Sequence, residues 1–383
     1  MNGPPRTDAP HRTVAAALAE GFAATAAHHD ATGSFPHANI RRLHEAGLLA
    51  LTAPVGHGGA GAGLEEAAAV VGAVARGEPS TALVLSMQYI NLASLPGERW
   101  PAQLAARVLE GAARRGELIN ALRVEPELGT PLRGGLPATL ARRDRDGWSL
   151  TGRKIYATGI PGLAWGIVWA RTDEDTPRVG QFLVPVDSPG LRIEATWDPL
   201  GMRATASHDA VFEGVRVPLD HAVDIRRPDD WGARDAGPAA WGAVLIGALY
   251  DGVARAARDW LVGFLHERRP ANLGAALATV PRLQEALGAI EERLLVNARL
   301  LRSAARDVDA GVAPAPVESN LLKVAVTENA IAAVEAALRI TGNHGVSRHN
   351  ALERHLRNVL CARIHSPQDD TARVAAGRAA LAP

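Results

Sequence analysis

From Thr13 to about Gly116, apolar residues recur at steps of three and four, the period of a helix that buries one face. The pattern is interrupted at Gly33, Gly47, the Gly58-Gly59-Ala60-Gly61 loop, Gly77 and Pro96, residue types that stop helices. This predicts a helical first domain. Between about Leu118 and Asp220 the period changes: the runs TLARR, WSL, WGIVWA, GQFLVPV and AVFEGVRV are short, β-rich and separated by turn residues, which predicts a compact β-domain. Asp146-Gly147, between two of these runs, predicts a hairpin whose Gly takes a positive φ. After the polar stretch IRRPDD the helical period returns. A helix is expected from about Gly237 to Glu267, with Trp241, Leu245, Leu249, Val253, Ala256, Trp260 and Phe264 on one face. It is roughly 45 Å long, the length of a bundle strut. Helices from about Ala276 to Ala310, Val317 to Thr341, Ala351 to Ile364 and Asp369 to Ala380 follow, with Gly342 expected to close the second of these as a left-handed cap.

The order of helices, strands and helices predicts an α+β, mostly helical protein. A disordered polar tail (1–12) precedes an N-terminal helical domain (13–117), a central β-domain (118–222) and a C-terminal four-helix bundle (223–383). No strand-linked G-x-G-x-x-G with a downstream acid occurs, which argues against a doubly wound sheet. Composition narrows the function. The 41 basic and 41 acidic residues leave no global pull towards nucleic acid or a membrane, so a small molecule is the expected partner. Cys361, the single cysteine, rules out an internal disulfide framework and fits a reducing cytoplasm. No apolar run approaches the length that spans a bilayer. The histidines at 344, 349, 355 and 365 match no zinc spacing, and no metal site is expected.

Several segments resemble the acyl-CoA dehydrogenase superfamily, in the same domain order. "LHEAGLLALTAPVGHGGAGAGL" is similar to the family's loop after its second helix, and "PLGMRATASHDAVFEGVRVP" to its strand ending in F-x-x-V-x-V-P. "EPELGTP", Glu125–Pro131, and "GWSLTGRKIYATG" fall where the family places its two flavin-cradling segments. The resemblance implies FAD, with FMN as the alternative. It implies contacts to the ring from Val124, Gly129, Thr130, Tyr156 and Thr158. Physically, a flavin needs a flat apolar wall and hydrogen-bond donors where transferred charge collects, and strand-end loops supply both. "ERRPANLG" resembles the loop that reaches the cofactor's pyrophosphate, implicating Arg268 or Arg269 by charge-assisted hydrogen bonding. "LRITGNHGV" resembles the helix end that approaches a neighbouring subunit's cofactor, implicating Arg339, Gly342 and Asn343 and implying a homo-oligomer, in this family usually a tetramer. Gln368 falls at a further cofactor-contact position.

An acyl-CoA dehydrogenase needs a carboxylate to remove the α-proton of a thioester. The family's two positions for it fall here on Ser366 and Gly242, neither of which is acidic. "RHLRNVLCARIHSP", Arg354–Pro367, instead resembles the flavin-dependent monooxygenase branch typified by dibenzothiophene desulfurization monooxygenase, in which R-H-x-R-N is followed by H-x-P. That makes His365 the candidate catalytic residue, a group suited to proton exchange near neutrality. It implies a two-component monooxygenase that uses reduced flavin from a separate reductase, and O2. The rival is an acyl-CoA or acyl-carrier dehydrogenase with Asp369 or Asp370 as relocated base. Gln88 and Tyr89 lie on a helix placed to line the substrate pocket, although such a stripe is more often core.

Overall fold

In a computed structural model, which describes residues 11–97, 99–128, 135–231 and 235–382, five helices come first. They are α1 (His11–Thr32), α2 (His37–Glu45), α3 (Leu64–Gly77), α4 (Pro79–Ser94) and α5 (Ala102–Arg115). The expected stops hold at Gly33, Gly47, Gly58 and Gly61, each with positive φ. α4 starts at once after α3 because the Glu78 carboxylate accepts the Ser80 and Thr81 amides while Pro79 occupies the first turn. One boundary differs from expectation. His11 and Arg12 belong to α1 and not to the polar tail, and His11 is tied to Glu66 on α3; the remainder of that tail lies outside the described residues.

The strands are β1 (Leu118–Leu122), β2 (Leu140–Arg143), β3 (Gly147–Lys154), β4 (Leu163–Thr172), β5 (Val179–Pro185), β6 (Leu191–Glu194), β7 (Asp209–Pro218) and β8 (Ala222–Arg226). They form one sheet in the order β6-β7-β3-β2-β4-β5-β8, with β1 added parallel to β4. β2 and β3 pair antiparallel as the expected hairpin. Its turn, however, is organised by Asp144, whose carboxylate accepts the Asp146 and Gly147 amides. Gly147 has no positive φ. It is required for space, since a Cβ there would lie 2.4 Å from the Val217 carbonyl oxygen.

The helices after the sheet are α6 (Ala236–Glu267), α7 (Pro281–Asp309), α8 (Pro316–Thr341), α9 (Asn343–Val346), α10 (Ala351–Leu360) and α11 (Asp369–Leu381). α7 starts later than the apolar period suggests, because Pro281 cannot donate to a preceding turn and instead opens the helix. Gly342 takes φ 55 and ψ −129, a positive φ outside the left-handed cap that was expected. The helix expected over 351–364 is α-helical only to Leu360, and Cys361–Ile364 tighten into a 3-10 turn that redirects the chain at His365.

α6 is the central strut, with α3, α4, α7, α8 and α10 packed around it. Leu245, Leu249, Val253, Ala257, Leu261 and Leu265 are its buried stripe. The sheet joins the same core through Phe182 and Phe212. Arg357 on α10 ties three parts of the chain together, pairing with Asp30 of α1 and Glu353 and donating to the Leu200 carbonyl beyond β6. Among the described residues, no helix is long and apolar enough to cross a membrane.

Candidate active site

The loops that follow β1 and β3 lie side by side, since the Ile155 amide donates to the Val124 carbonyl at 2.9 Å. Beneath them sits a buried ion pair. Lys154 Nζ lies 2.6 Å from Glu125 Oε1, which also accepts from the Thr139 amide and hydroxyl. Burial pushes the lysine down to about 8 despite its partner. This pair anchors the start of the 125–131 segment. Gly129 and Thr130, expected ring contacts in that segment, lie outside the described residues.

Beyond β3, Tyr156 holds a left-handed φ of 60, a conformation unusual for a bulky residue, and the residue is 59 % exposed. The ring meets Trp197 edge to face at 6.0 Å. Next to it, Thr158 is half-buried in a run of hydroxyls. Ser207 Oγ donates to Thr158 Oγ1 at 3.1 Å, Thr205 Oγ1 and Ser207 Oγ lie 2.8 Å apart, and Thr205 Oγ1 donates to the Met202 carbonyl. Because Thr158 accepts from Ser207, its own hydroxyl proton is left to donate outward. Asn120 on β1 fixes the backbone by donating to the Thr158 carbonyl at 3.0 Å. An open aromatic surface beside an outward hydroxyl donor is what a flavin ring requires, and this set fits that group.

The segment carrying these hydroxyls abuts the turn after α10. The Met202 amide donates to Asn358 Oδ1 at 2.7 Å, and Gly201 lies so close that a Cβ would come within 2.2 Å of the Arg357 carbonyl oxygen. Cys361 contacts the Gly201 amide, and burial pushes its thiol up to about 11. Four residues on, His365 turns inwards. Its Nε2 lies 2.7 Å from the hydroxyl of Tyr250, which is fully buried on α6. Burial, and after it the Lys323 ammonium, pushes the half-buried imidazole down to about 4. Lys323 of α8, 2 % exposed, clasps the turn by donating to the His365 carbonyl, the Pro367 carbonyl and Asp369 Oδ1. Gln368 caps α11 through its carbonyl, and Asp370 is exposed at that helix's start, accepting from the Thr371 amide.

The remaining candidates gather at the far end of α6. From Tyr250 to Arg268 the helix runs roughly 27 Å. There His344 packs on Phe264 at 5.2 Å, which brings α9 and the Gly342–Asn343 junction next to the Arg268 turn. Arg268, Arg269, Arg339, Gly342 and Asn343 are all exposed. Gln88 and Tyr89 do not line a pocket. Gln88 accepts the Ile119 amide and donates to the Glu117 carbonyl, holding β1, and the buried Tyr89 hydroxyl donates to the Leu48 carbonyl. A separate cleft of about 900 Å³ between α1, α3 and α6 has Arg76, Arg255, Arg354 and His355 among its lining and none of the candidate residues.

The structure adds Tyr250, Lys323, Ser207 and Asn120 to the candidate set. Two of them carried a sequence signal, because Tyr250 is one of only 3 tyrosines and Lys154 and Lys323 are the chain's two lysines. A chain that uses arginine everywhere else keeps lysine at two interior positions, where a compact ammonium meets Glu125 in one case and two carbonyls and Asp369 in the other.

Comparison with known proteins agrees with this geometry. Models of the acyl-CoA dehydrogenase N-terminal, middle and C-terminal domains match residues 5–96, 123–215 and 244–369. A putative acyl-CoA dehydrogenase, YdbM, of Bacillus subtilis is 36 % identical over 356 residues, covering 92 % of each chain. L-evernosamine nitrososynthase of a Micromonospora species is 31 % identical over 90 % of this chain and 83 % of its own length. The solved structure of KijD3 in complex with FMN and a dTDP-linked amino-keto sugar is 29 % identical, with a TM-score of 0.78 over 99 % of this chain and 96 % of that one. By sequence and by fold, the chain belongs to the acyl-CoA dehydrogenase family.

Proposed function

We propose that this flavin-dependent oxidoreductase is a two-component monooxygenase, taking reduced flavin from a separate reductase and using O2 to oxygenate a small, largely apolar substrate at a nucleophilic S, N or C centre. FAD is the proposed cofactor and FMN, bound in KijD3, the alternative. One observation carries the reading. The turn after α10 directs an imidazole inwards, His365 against Tyr250, while the neighbouring carboxylates are committed elsewhere, Asp369 to Lys323 and Asp370 to the start of α11. Proton abstraction next to a thioester needs a carboxylate; an imidazole suits oxygen chemistry.

In this reading Tyr156 and Trp197 form the wall for the ring, and Thr158, with its hydroxyl backed by Ser207, donates to it. The flavin, when bound, supplies the redox chemistry. His365 holds or gives a hydrogen bond at the reacting centre. Arg268, Arg339, Gly342, Asn343 and Gln368 would contact the phosphates or the adenosine side, with Arg339, Gly342 and Asn343 reaching across a homotetramer, in the cytoplasm.

A second reading, an acyl-CoA dehydrogenase with Asp369 or Asp370 as base, is supported by the 36 % identity to YdbM. Mixing the flavin-loaded protein anaerobically with acyl thioesters separates the two. The first reading expects no bleaching of the flavin absorbance, and oxygen consumption with product formation only when reduced flavin, air and an acceptor substrate are supplied. Bleaching by thioester alone overturns it.

A further inference from the structure

Tyr250 is fully buried, its ring 5.6 Å from that of His365, and His365 Nε2 is the only hydrogen-bond partner of its hydroxyl among the described residues. A phenol has one proton to place. If Nε2–H were the donor, the tyrosine proton would be left without an acceptor in the core, which costs more than an unused oxygen lone pair. The hydroxyl therefore donates, and Nε2 accepts. A neutral imidazole that accepts at Nε2 carries its proton on Nδ1. His365 Nδ1 has no protein partner among the described residues and is not among the buried unpartnered nitrogens, so its N–H faces open space.

Burial and the Lys323 ammonium favour that neutral form, and the groups facing the ring do not offset them. α6 brings the apolar-buried Tyr250 hydroxyl, α8 the Lys323 ammonium against the His365 carbonyl, and α11 the Asp369 carboxylate already paired with Lys323. Before the turn lies the Cys361 thiol, which burial keeps protonated. No carboxylate among the described residues pairs with the imidazole. We propose that Tyr250 is a positioning residue that fixes His365 as the Nδ1–H tautomer, so that His365 meets the reacting group as a neutral hydrogen-bond donor and not as a proton-abstracting base. This rests on the reading of His365 given above, and it deepens it: the substrate or oxygen species at that wall is held through an acceptor atom.

Nitrogen NMR of the flavin-loaded protein labelled at its 13 histidines reads the tautomer directly, with the His365 pair identified as the one lost in His365→Gln. The expected wild-type pattern is a protonated Nδ1 and a bare Nε2 from pH 5 to 9. Tyr250→Phe, which keeps the ring and removes the hydroxyl, is expected to admit the Nε2–H form and to lower kcat at least tenfold with KM nearly unchanged. A bare Nδ1 in the wild type, or an unchanged tautomer in Tyr250→Phe, overturns the proposal. If thioester bleaches the flavin while the wild-type tautomer is as expected, the monooxygenase reading falls and the positioning by Tyr250 stands, so the two failures are distinguishable.

Discussion

The two ends of α6 differ in how finished they are. Around Tyr250 the buried polar groups are paired and His365 Nδ1 stays open to a ligand: the hydroxyl bonds His365 Nε2, Lys323 meets two carbonyls and a carboxylate, and Met202 meets Asn358. Around Arg268 the same candidate cofactor site consists of exposed residues, and neither Arg268 nor Arg339 forms an ion pair among the described residues. A hydrogen-bonded site keeps its geometry without a ligand, and so loses little freedom when one arrives. An exposed arginine gains its geometry only from the anion it meets. In the proposed reading, the contrast separates an end that performs chemistry from an end that adds affinity.

The largest test of this contrast is Lys323→Met. Removing one partner of a buried charge pair typically costs about 3–5 kcal/mol, since the remaining oxygens lose their donor. Lys323 is 2 % exposed and Asp369 15 %, so the site is deep enough for that range to apply. Arg339→Ala, at an exposed position, is expected to stay within about 0.5 kcal/mol. Urea unfolding of the two flavin-free variants measures both, and a Lys323→Met loss below about 1 kcal/mol would erase the distinction between a built and an unbuilt end.

The order reverses for cofactor retention. A charge-assisted hydrogen bond to phosphate is worth about 1.5–3 kcal/mol, so Arg268→Ala or Arg339→Ala should weaken flavin binding roughly 10- to 150-fold. Stability without flavin should be unchanged. Equilibrium dialysis at fixed ionic strength gives the dissociation constants, and wild-type retention in both variants would remove the distal arginines from the site. A retained ring environment at Tyr156, read by its absorbance, with weakened overall affinity would sharpen the comparison further.

Sequence and structure agree best where one periodicity governs a long segment. The apolar stripe of α6 reads directly as a strut through Leu245, Leu249 and Val253, and the change of period after Leu118 marks the sheet. Beyond Val253 the buried positions are Ala257, Leu261 and Leu265, while the expected Ala256, Trp260 and Phe264 are only half-buried. Local signals were weaker guides. Gly147 sits at the hairpin but answers to the Val217 carbonyl and not to a positive φ, a fact that depends on β7, a strand far along the chain. Tyr250 hides beside Leu249 in an apolar helix, and its role arises from a contact with a residue 115 positions away. Lys323 reaches across 46 positions to Asp369 in the turn it clasps. The composition did hold a clue, since two lysines in a chain so rich in arginine are expected to be special, but only packing tells what they hold. Gln88 and Tyr89 fell to the ordinary explanation for a polar residue in a buried helix: each satisfies a neighbouring backbone group.

The smallest expected effect concerns acid, and it falls on the built end because α10 leads into the His365 turn. His355, on α10, is 6 % exposed with Nδ1 unpartnered, and burial, then the Arg354 charge, pushes its imidazole down to about 3. The unfolded chain takes that proton near the ordinary value of about 6.5. Stability is therefore fully present above about 6.5 and is lost as pH falls towards about 3, because the unfolded state binds the proton first. One proton sets a ceiling of about 1.4 kcal/mol per pH unit on the slope. His355→Leu removes the titrating group and an unsatisfied nitrogen together, so the variant should lose that share of the slope between pH 6 and pH 5. Urea midpoints at the two values measure it. An undiminished slope in the variant would mean that the helix holding the His365 turn does not depend on a neutral His355, and that the acid sensitivity of this end lies in the turn itself.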